Sequence, residues 1–355
     1  MANSELQLTY RCRRAVRALA ILLLTISATA CNRAPEHPNV VIITFDTTRA
    51  DHLGTYGYPL AHTPTADRLA AEGVRFDDAE ATAPITAVSH SSIMTGLLPP
   101  AHGVRDNGSF ALSSDAVTLA EHFKQAGYET RAFVSAIVLS KRYGIDQGFD
   151  SYDDDLWSEN EPKLFMIRDR SARETINRTL AWYDTRISEK SDQPFFLWVH
   201  LFDPHQPHNP PGWTIPLSAS PYDAEIASAD HELGRLVEAL RDSGELDNTV
   251  FVFTADHGES LGEHNEKTHA IFVYRSTTRV PLIVRYPPRY PKGETYTGPV
   301  SIVDIAPTLL ELAHLPGAEL TQGIDLTPLA RGDSDPVDRA QYSESKLSEL
   351  GFGMA

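Results

Sequence analysis

Three acidic residues each follow a strongly apolar run in this 355-residue sequence. Asp46, Asp203 and Asp256 come just after segments rich in β-branched or aromatic residues, and His257 and His269 follow Asp256 closely. Carboxylates and imidazoles together are ligands for a divalent cation, and nitrogen ligands favour zinc or manganese. A lone Asp at such a place more often caps a helix. Three of them beside a histidine cluster favour a metal site.

The apolar runs themselves predict how these side chains are positioned. Val40–Phe45, Phe195–Phe202 and Val250–Thr254 are apolar on both faces, which is typical of central strands covered by helices on each side. Helical segments alternate with them, one starting at Thr63-Pro64 and one with an apolar stripe from Ile226 to Leu240. We therefore predict an α/β fold with a doubly wound, mostly parallel sheet. Its strand ends would bring the three acidic residues to one rim, where such sheets bind ligands.

A threonine lies in a second segment that could carry chemistry. Thr86 belongs to a Pro-containing turn before a helix that we expect to begin near Ser89, and a helix N-terminus favours an anion. A threonine hydroxyl attacks only if its pKa is lowered, and metal coordination is one way to do so. From the residues alone, a turn or capping role for Thr86 remains the alternative. His205, in the polar segment after Asp203, offers a further ligand on the same rim or belongs to a Pro-bent loop.

The N-terminal residues are typical of a targeting signal. A basic stretch precedes the apolar run Ala18–Ile26, and small residues lead into Cys31. We predict a signal peptide over residues 1–30, a tether over residues 31–38 with a lipidated Cys31, and a catalytic domain over residues 39–355. This interpretation implies an exported, lipid-anchored protein in the periplasm or on the outer surface of a bacterium. A plain signal peptide with an incidental Cys31 is the alternative.

Composition limits the partners of the protein. The chain is 41% hydrophobic and 22% charged, which is enough to bury a large core in one domain. Its net charge of −17 excludes nucleic acid as a favoured partner. The same charge repels any anionic substrate, so the attraction for such a substrate would have to come from a metal ion or a helix N-terminus.

Four blocks of the sequence resemble the sulfatase family of the alkaline phosphatase superfamily. They are Pro38–Gly54, Ser89–Gly96, Asp256–Glu259 and Val303–Thr308, in the order that the family has them. The resemblance implies a sheet sandwiched by helices, as in alkaline phosphatase. It stops near Ser345, where family members continue into a small antiparallel sheet, so we expect this C-terminal subdomain to be missing or truncated.

The departures from the family pattern concern the reacting groups. Sulfatases carry a Cys or Ser that is oxidised to formylglycine where this sequence has Thr86, and threonine cannot undergo that conversion. Thr47 replaces a second Asp and His257 replaces an Asn. Both changes move the preferred ion from calcium toward zinc or manganese. The altered pattern resembles phosphonate monoester hydrolases, nucleotide phosphodiesterases and phosphoethanolamine transferases, and the latter two use a Thr nucleophile.

The resemblance also implies roles for individual residues. One ion is expected, and a second is possible with Asp203 among its ligands. His205 and His269 would contact the substrate or this second ion, and Asn107 would contact a nonbridging ester oxygen. His90, where sulfatases have Arg, would orient the nucleophile. The ligands implied for the principal ion are Asp46, Thr86, Asp256 and His257.

The function implied is hydrolysis of phosphoric or phosphonic esters by in-line attack of the metal-bound oxygen of Thr86. Water would then resolve the covalent Thr ester. Three alternatives stay open: hydrolysis of sulfuric esters, transfer of a phosphorylated head group to an envelope glycan, and an inactive lipoprotein that only binds. The expected substrate is a small-molecule, glycan or lipid ester, and the expected membrane contact is through the N-terminal lipid anchor.

Overall fold

A computed structural model of the chain describes residues 37–156, 169–334, 338–347 and 349. The predicted signal peptide and the lipidation site at Cys31 lie outside these residues. Across the described ranges, no helix has both the length and the apolar character needed to cross a membrane.

The apolar runs form the central strands of an eight-stranded sheet. The strands are β1 (Asn39–Phe45), β2 (Val74–Glu80), β3 (Glu129–Phe133), β4 (Ser151–Asp153), β5 (Phe195–Leu201), β6 (Thr249–Ala255), β7 (Arg279–Arg285) and β8 (Glu294–Ser301). Their order in the sheet is β4-β3-β5-β1-β6-β7-β2-β8. Only β7 pairs antiparallel with its neighbours β6 and β2; all other neighbouring strands are parallel. The predicted doubly wound, mostly parallel sheet is confirmed.

Helices connect these strands and cover the sheet. They are α1 (Pro64–Glu72), α2 (Thr86–Thr95), α3 (Pro99–His102), α4 (Leu119–Gln125), α5 (Ala172–Ser188), α6 (Pro221–Asp242), α7 (Arg275–Thr278), α8 (Ile305–Leu312) and α9 (Thr327–Ala330). The two helices predicted from Pro64 and from the Ile226 stripe are confirmed. The helix expected to begin near Ser89 begins three residues earlier, so that Thr86 is its first residue.

Alternate residues of β1 enter two separate cores, as expected for a strand apolar on both faces. Val40 and Ile42 pack on one face with residues of α4 and α8. Val41, Ile43 and Phe45 pack on the other face with residues of α1, α5 and α6. The central strands are thus buried on both faces, and only residues at the strand ends are left to contact a ligand.

The register of the central strands places two of the predicted acidic residues side by side. Phe45, the last residue of β1, pairs with Ala255, the last residue of β6. Asp46 and Asp256 therefore leave the sheet at the same carboxyl edge, as the sequence predicts.

Candidate active site

Asp46, Asp256 and His257 form a buried group of potential metal ligands. Their ligand atoms all lie within 4.8 Å of one another, and all three residues are fully buried. The Nε2 atom of His257 lies 3.4 Å from Asp256 Oδ2 and 3.8 Å from Asp46 Oδ1. No other group of this kind, with three or more His, Cys, Asp or Glu ligands, occurs among the described residues.

The hydrogen bonds of these three residues leave a nitrogen lone pair and several carboxylate oxygens available to bind a cation. His257 donates its Nδ1 proton to the Gly258 carbonyl at 2.9 Å, so its Nε2 carries a lone pair. Both oxygens of Asp46 and Oδ2 of Asp256 are buried and have no hydrogen-bond partner among the described residues. Buried acceptors without a donor are costly, and a divalent cation would satisfy all of them.

The carboxyl groups of the two aspartates influence each other. Burial raises the pKa of Asp256 well above its usual range, and the charge of Asp46 raises it further. Burial acts in the same direction on Asp46, but its contact with His200 and the nearby imidazoles hold that pKa well below its usual range. Two buried carboxylates this close are both stable in the charged form only beside a compensating positive charge.

Thr86 points into the same group. It is the first residue of α2, and its Oγ1 lies 3.4 Å from Nε2 of His257. The residue is 2% exposed. The structure thus brings together the four residues predicted to hold the principal ion, and it places the threonine hydroxyl at a helix N-terminus, where an anion is favoured.

His90 belongs to a chain of buried hydrogen bonds that runs from Trp198 to Thr86. Trp198 donates its Nε1 proton to Thr44 Oγ1 at 3.1 Å, and Thr44 lies 2.9 Å from His90 Nε2. His90 Nδ1 lies 2.8 Å from the Thr86 carbonyl, which can only accept, so Nδ1 carries the proton. Burial lowers the pKa of His90 to about 3 and keeps it neutral. His90 therefore contacts the backbone of Thr86 rather than its hydroxyl.

His200 is a site residue that the sequence analysis did not select. Ser135 donates its backbone N–H to His200 Nδ1 at 3.3 Å, so the other ring nitrogen carries the proton and faces Asp46 Oδ2 at 3.3 Å. This contact favours the charged form of the carboxylate, but it does not meet the geometry of a hydrogen bond. The available signal was a single imidazole inside the otherwise apolar run of β5.

The backbone of Thr47 is held tightly between Asp46 and Asp256. Thr47 has a φ of 51°, in the left-handed region that β-branched residues rarely adopt. Its N–H donates to Asp256 Oδ1 at 3.1 Å, and its carbonyl accepts from the Tyr222 hydroxyl at 2.7 Å. Its buried Oγ1 has no hydrogen-bond partner in the described part of the chain. This strained turn, which sequence reasoning did not predict, fixes how Asp46 leaves β1.

Asn107 lies beside the N-terminus of α2. Its Oδ1 accepts from the backbone N–H of Ala87 at 2.9 Å. Because the oxygen is engaged, the amide nitrogen is the group that remains for a ligand. The contact between Asn107 and a substrate oxygen stays a prediction.

His269 and His205 line the other side of the ligand group. The ring of His269 lies 4.5 Å from that of His257 and 5.1 Å from that of His205, measured between centroids. Nδ1 of His269 lies 3.2 Å from Oε1 of the buried Glu259, which the sequence analysis noted only as part of a motif. His205 stacks on Phe202 at 4.3 Å. Both predicted substrate-contacting histidines are therefore close to the site.

Asp203 has a different surrounding from the other predicted ligands. Its Oδ2 accepts from the backbone N–H of Ala172, the first residue of α5, at 2.5 Å. Burial and the charge of Glu225 raise the pKa of Asp203 to about 7. The structure does not bring Asp203 into the group formed by Asp46, Asp256 and His257.

Comparison with known proteins identifies the family. A profile described as Sulfatase matches residues 38–315. The chain belongs to the sulfatase family. It is 25% identical to an N-acetylglucosamine-6-O-sulfatase of Bacteroides thetaiotaomicron over 90% of this chain and 76% of that protein. It is 28% identical to an ulvan-active sulfatase of Formosa agariphila over 86% of this chain and 67% of that protein.

Solved structures of other proteins have the same fold as this sulfatase-family chain. The phosphonate monoester hydrolase of Agrobacterium radiobacter superposes with a TM-score of 0.73 at 22% identity, covering 90% of this chain and 83% of that one. The phosphonate monoester hydrolase of Silicibacter pomeroyi gives a TM-score of 0.71 at 20% identity, covering 89% and 83%. The resemblance to the alkaline phosphatase superfamily is confirmed, and the chain is a hydrolase of ester bonds.

Proposed function

We propose that this sulfatase-family hydrolase cleaves phosphoric or phosphonic esters with Thr86 Oγ1 as its nucleophile. The observation that carries the proposal is the position of this hydroxyl, 3.4 Å from His257 Nε2 at the N-terminus of α2. It occupies the place of the formylglycine precursor in sulfatases, and threonine cannot undergo that conversion. The hydroxyl itself is therefore the attacking group.

Asp46, Asp256 and His257 are the residues that would hold the metal ion, with Thr86 Oγ1 beside them. When bound, a divalent cation lowers the pKa of a nearby hydroxyl and stabilises negative charge that develops on the ester oxygens. We propose zinc or manganese rather than calcium because one ligand is an imidazole nitrogen and Thr47 stands where a second carboxylate would favour calcium.

The reaction would proceed in two displacements at phosphorus. In the first, Thr86 Oγ1 gives its proton to solvent water and forms a bond to phosphorus, while the bond from phosphorus to the leaving oxygen breaks and that oxygen takes a proton from His269. The amide nitrogen of Asn107 would bind a nonbridging oxygen, and the N-terminus of α2 favours the negative charge on these oxygens. In the second displacement, water attacks the phosphorus of the Thr86 ester, which releases the product and restores the hydroxyl.

The proposal assigns His269 and His205 to the leaving oxygen of the ester. Because Nδ1 of His269 faces Glu259, its Nε2 is the atom available for the substrate. An imidazole positioned in this way can supply the proton that a leaving alkoxide requires.

Hydrolysis of sulfuric esters is the second candidate, and the relatives named as sulfatases favour it. Turnover of an aryl phosphodiester, an aryl phosphonate monoester and an aryl sulfate by the zinc- or manganese-loaded protein separates the two candidates. We expect turnover of the phosphorus esters, abolished in Thr86→Ala and partly retained in Thr86→Ser. Preferential turnover of the sulfate, or full activity of Thr86→Ala, would contradict the proposal.

Metal analysis tests the site independently of turnover. We expect purified protein to bind about one zinc or manganese ion per chain, and His257→Asn to lower the affinity for either ion while calcium affinity changes less. If the wild-type protein bound no transition metal, the alternative of an inactive protein that only binds a ligand would be favoured.

A further inference from the structure

An extended segment, residues 338–345, crosses the molecule near the active site, and we call it the strap. It contains no helix or strand. Nε2 of Gln341 donates to the carbonyls of Asp78 and Val300 at 3.2 and 2.7 Å, which attaches the strap to the paired strands β2 and β8. The backbone N–H of Glu344 donates to the Thr82 carbonyl at 3.0 Å, four residues before the nucleophile Thr86.

The carboxylate of Glu344 binds the segment that carries Asn107. Both of its oxygens contact the guanidinium of Arg105, and the bond from Nη2 to Oε2 measures 2.5 Å. The Tyr342 hydroxyl donates to the same Oε2 at 2.6 Å. The side chains of Arg105 and Glu344 are only 25% and 14% exposed. A two-point, partly buried contact of this kind fixes orientation as well as distance.

The next residue of the strap binds the segment that carries His269. Ser345 Oγ donates to the carbonyl of Ala270. Ala270 has a φ of 85°, a conformation that alanine rarely adopts without support from its surroundings. Its side chain packs against the buried cluster that includes Ile85 and Ala87, on either side of Thr86. The strap thus contacts the neighbours of both His269 and Asn107 through two consecutive residues.

We propose that the strap sets the spacing between Asn107 and His269, so that Glu344 and Ser345 are positioning residues for the substrate. This inference rests on the proposed function, because it assumes that these two side chains contact the ester. In the described part of the chain, the strap residues form no hydrogen bond or ion pair with Asp46, Asp256 or His257. Changes in the strap should therefore alter substrate binding and turnover without altering metal affinity.

Glu344→Gln and Ser345→Ala test the inference, with Asp333→Asn as the matched control. Asp333 pairs with Arg331 on the exposed surface, so the control removes a charge from an ion pair away from the site. We expect the two strap variants to lower kcat/KM for an aryl phosphodiester by roughly tenfold, since displacements of about 1 Å reduce turnover strongly. Zinc affinity, measured by calorimetry, should stay at the wild-type value. An unchanged kcat/KM, or a parallel loss of zinc affinity, would overturn the inference.

Amide hydrogen exchange tests the inference without relying on turnover. It therefore applies even if the wild-type protein hydrolyses none of the esters and the proposed function fails. In Glu344→Ala, amides of residues 105–108 and 269–272 should exchange faster than in the wild type, while those of α6 should not change. Exchange that is unchanged in both segments, or faster throughout the chain, would refute a positioning role for the strap.

Discussion

The buried chain from Trp198 to Thr86 makes Thr44→Val a demanding test of the structure. Valine has nearly the same shape as threonine but lacks its hydroxyl. Thr44 is fully buried, and its Oγ1 is the partner of both Trp198 Nε1 and His90 Nε2. The substitution leaves both nitrogens buried without a partner, and it introduces no cavity.

The expected cost follows from these two lost partners. A buried polar group without a partner costs about 1–3 kcal/mol, so Thr44→Val should lower the free energy of unfolding by about 2–4 kcal/mol after partial relaxation. In a domain of this size that corresponds to a fall in Tm of roughly 3–6 °C. Thr44→Ser keeps the hydroxyl and removes a methyl group, at a cost of about 1 kcal/mol.

Urea denaturation and calorimetry of both variants would measure this difference. Turnover adds a second readout, because His90 contacts the Thr86 carbonyl and a displaced His90 should also shift the Thr86 hydroxyl. We expect Thr44→Val to lose more stability and more kcat than Thr44→Ser. A valine variant that is as stable as the serine variant would refute the hydrogen-bond chain, and unchanged kcat would refute its link to Thr86.

Three further predictions concern charge and close packing. Zinc at 100 times its Kd should stabilise the folded wild-type protein by about 2.7 kcal/mol. Asp256→Asn should abolish this stabilisation, and Tm measured with and without zinc checks the prediction. Because the pKa of Asp203 is raised to about 7, the folded state holds this proton more tightly than the unfolded state. Stability should then fall between pH 4 and 7 by up to about 1.4 kcal/mol per pH unit from this group, and denaturation of Asp203→Asn across that range should show a shallower fall. Gly258→Ala should be strongly destabilised, because the new Cβ would lie 2.2 Å from the Ser276 carbonyl oxygen. A Tm within 2 °C of the wild type, which corresponds to about 1 kcal/mol, would contradict this close contact.

The sequence was sufficient for the parts of the fold that depend on hydrophobic periodicity and on the alternation of strands with helices. Continuous apolar runs predict β1, β5 and β6, and the rule that ligands bind at strand ends predicts that Asp46, Asp203 and Asp256 lie on one rim. The same rule could not distinguish Asp203, because its carboxylate is directed to the first amide of α5 by a local hydrogen bond. Strand position gives the rim on which a residue lies, whereas side-chain direction depends on contacts far apart in sequence.

The roles of the two histidines nearest Thr86 could be resolved only from their hydrogen bonds. His90 cannot take the Thr86 proton while its Nε2 stays bonded to Thr44 and its Nδ1 proton to the Thr86 carbonyl. His257 has a free lone pair 3.4 Å from the hydroxyl, but that lone pair is also the one directed at the two aspartates. If His257 accepted the proton, it could no longer act as a metal ligand. A dedicated imidazole base for Thr86 is therefore excluded at both positions, and activation of the hydroxyl should depend on the charge that Asp46 and Asp256 are arranged to hold.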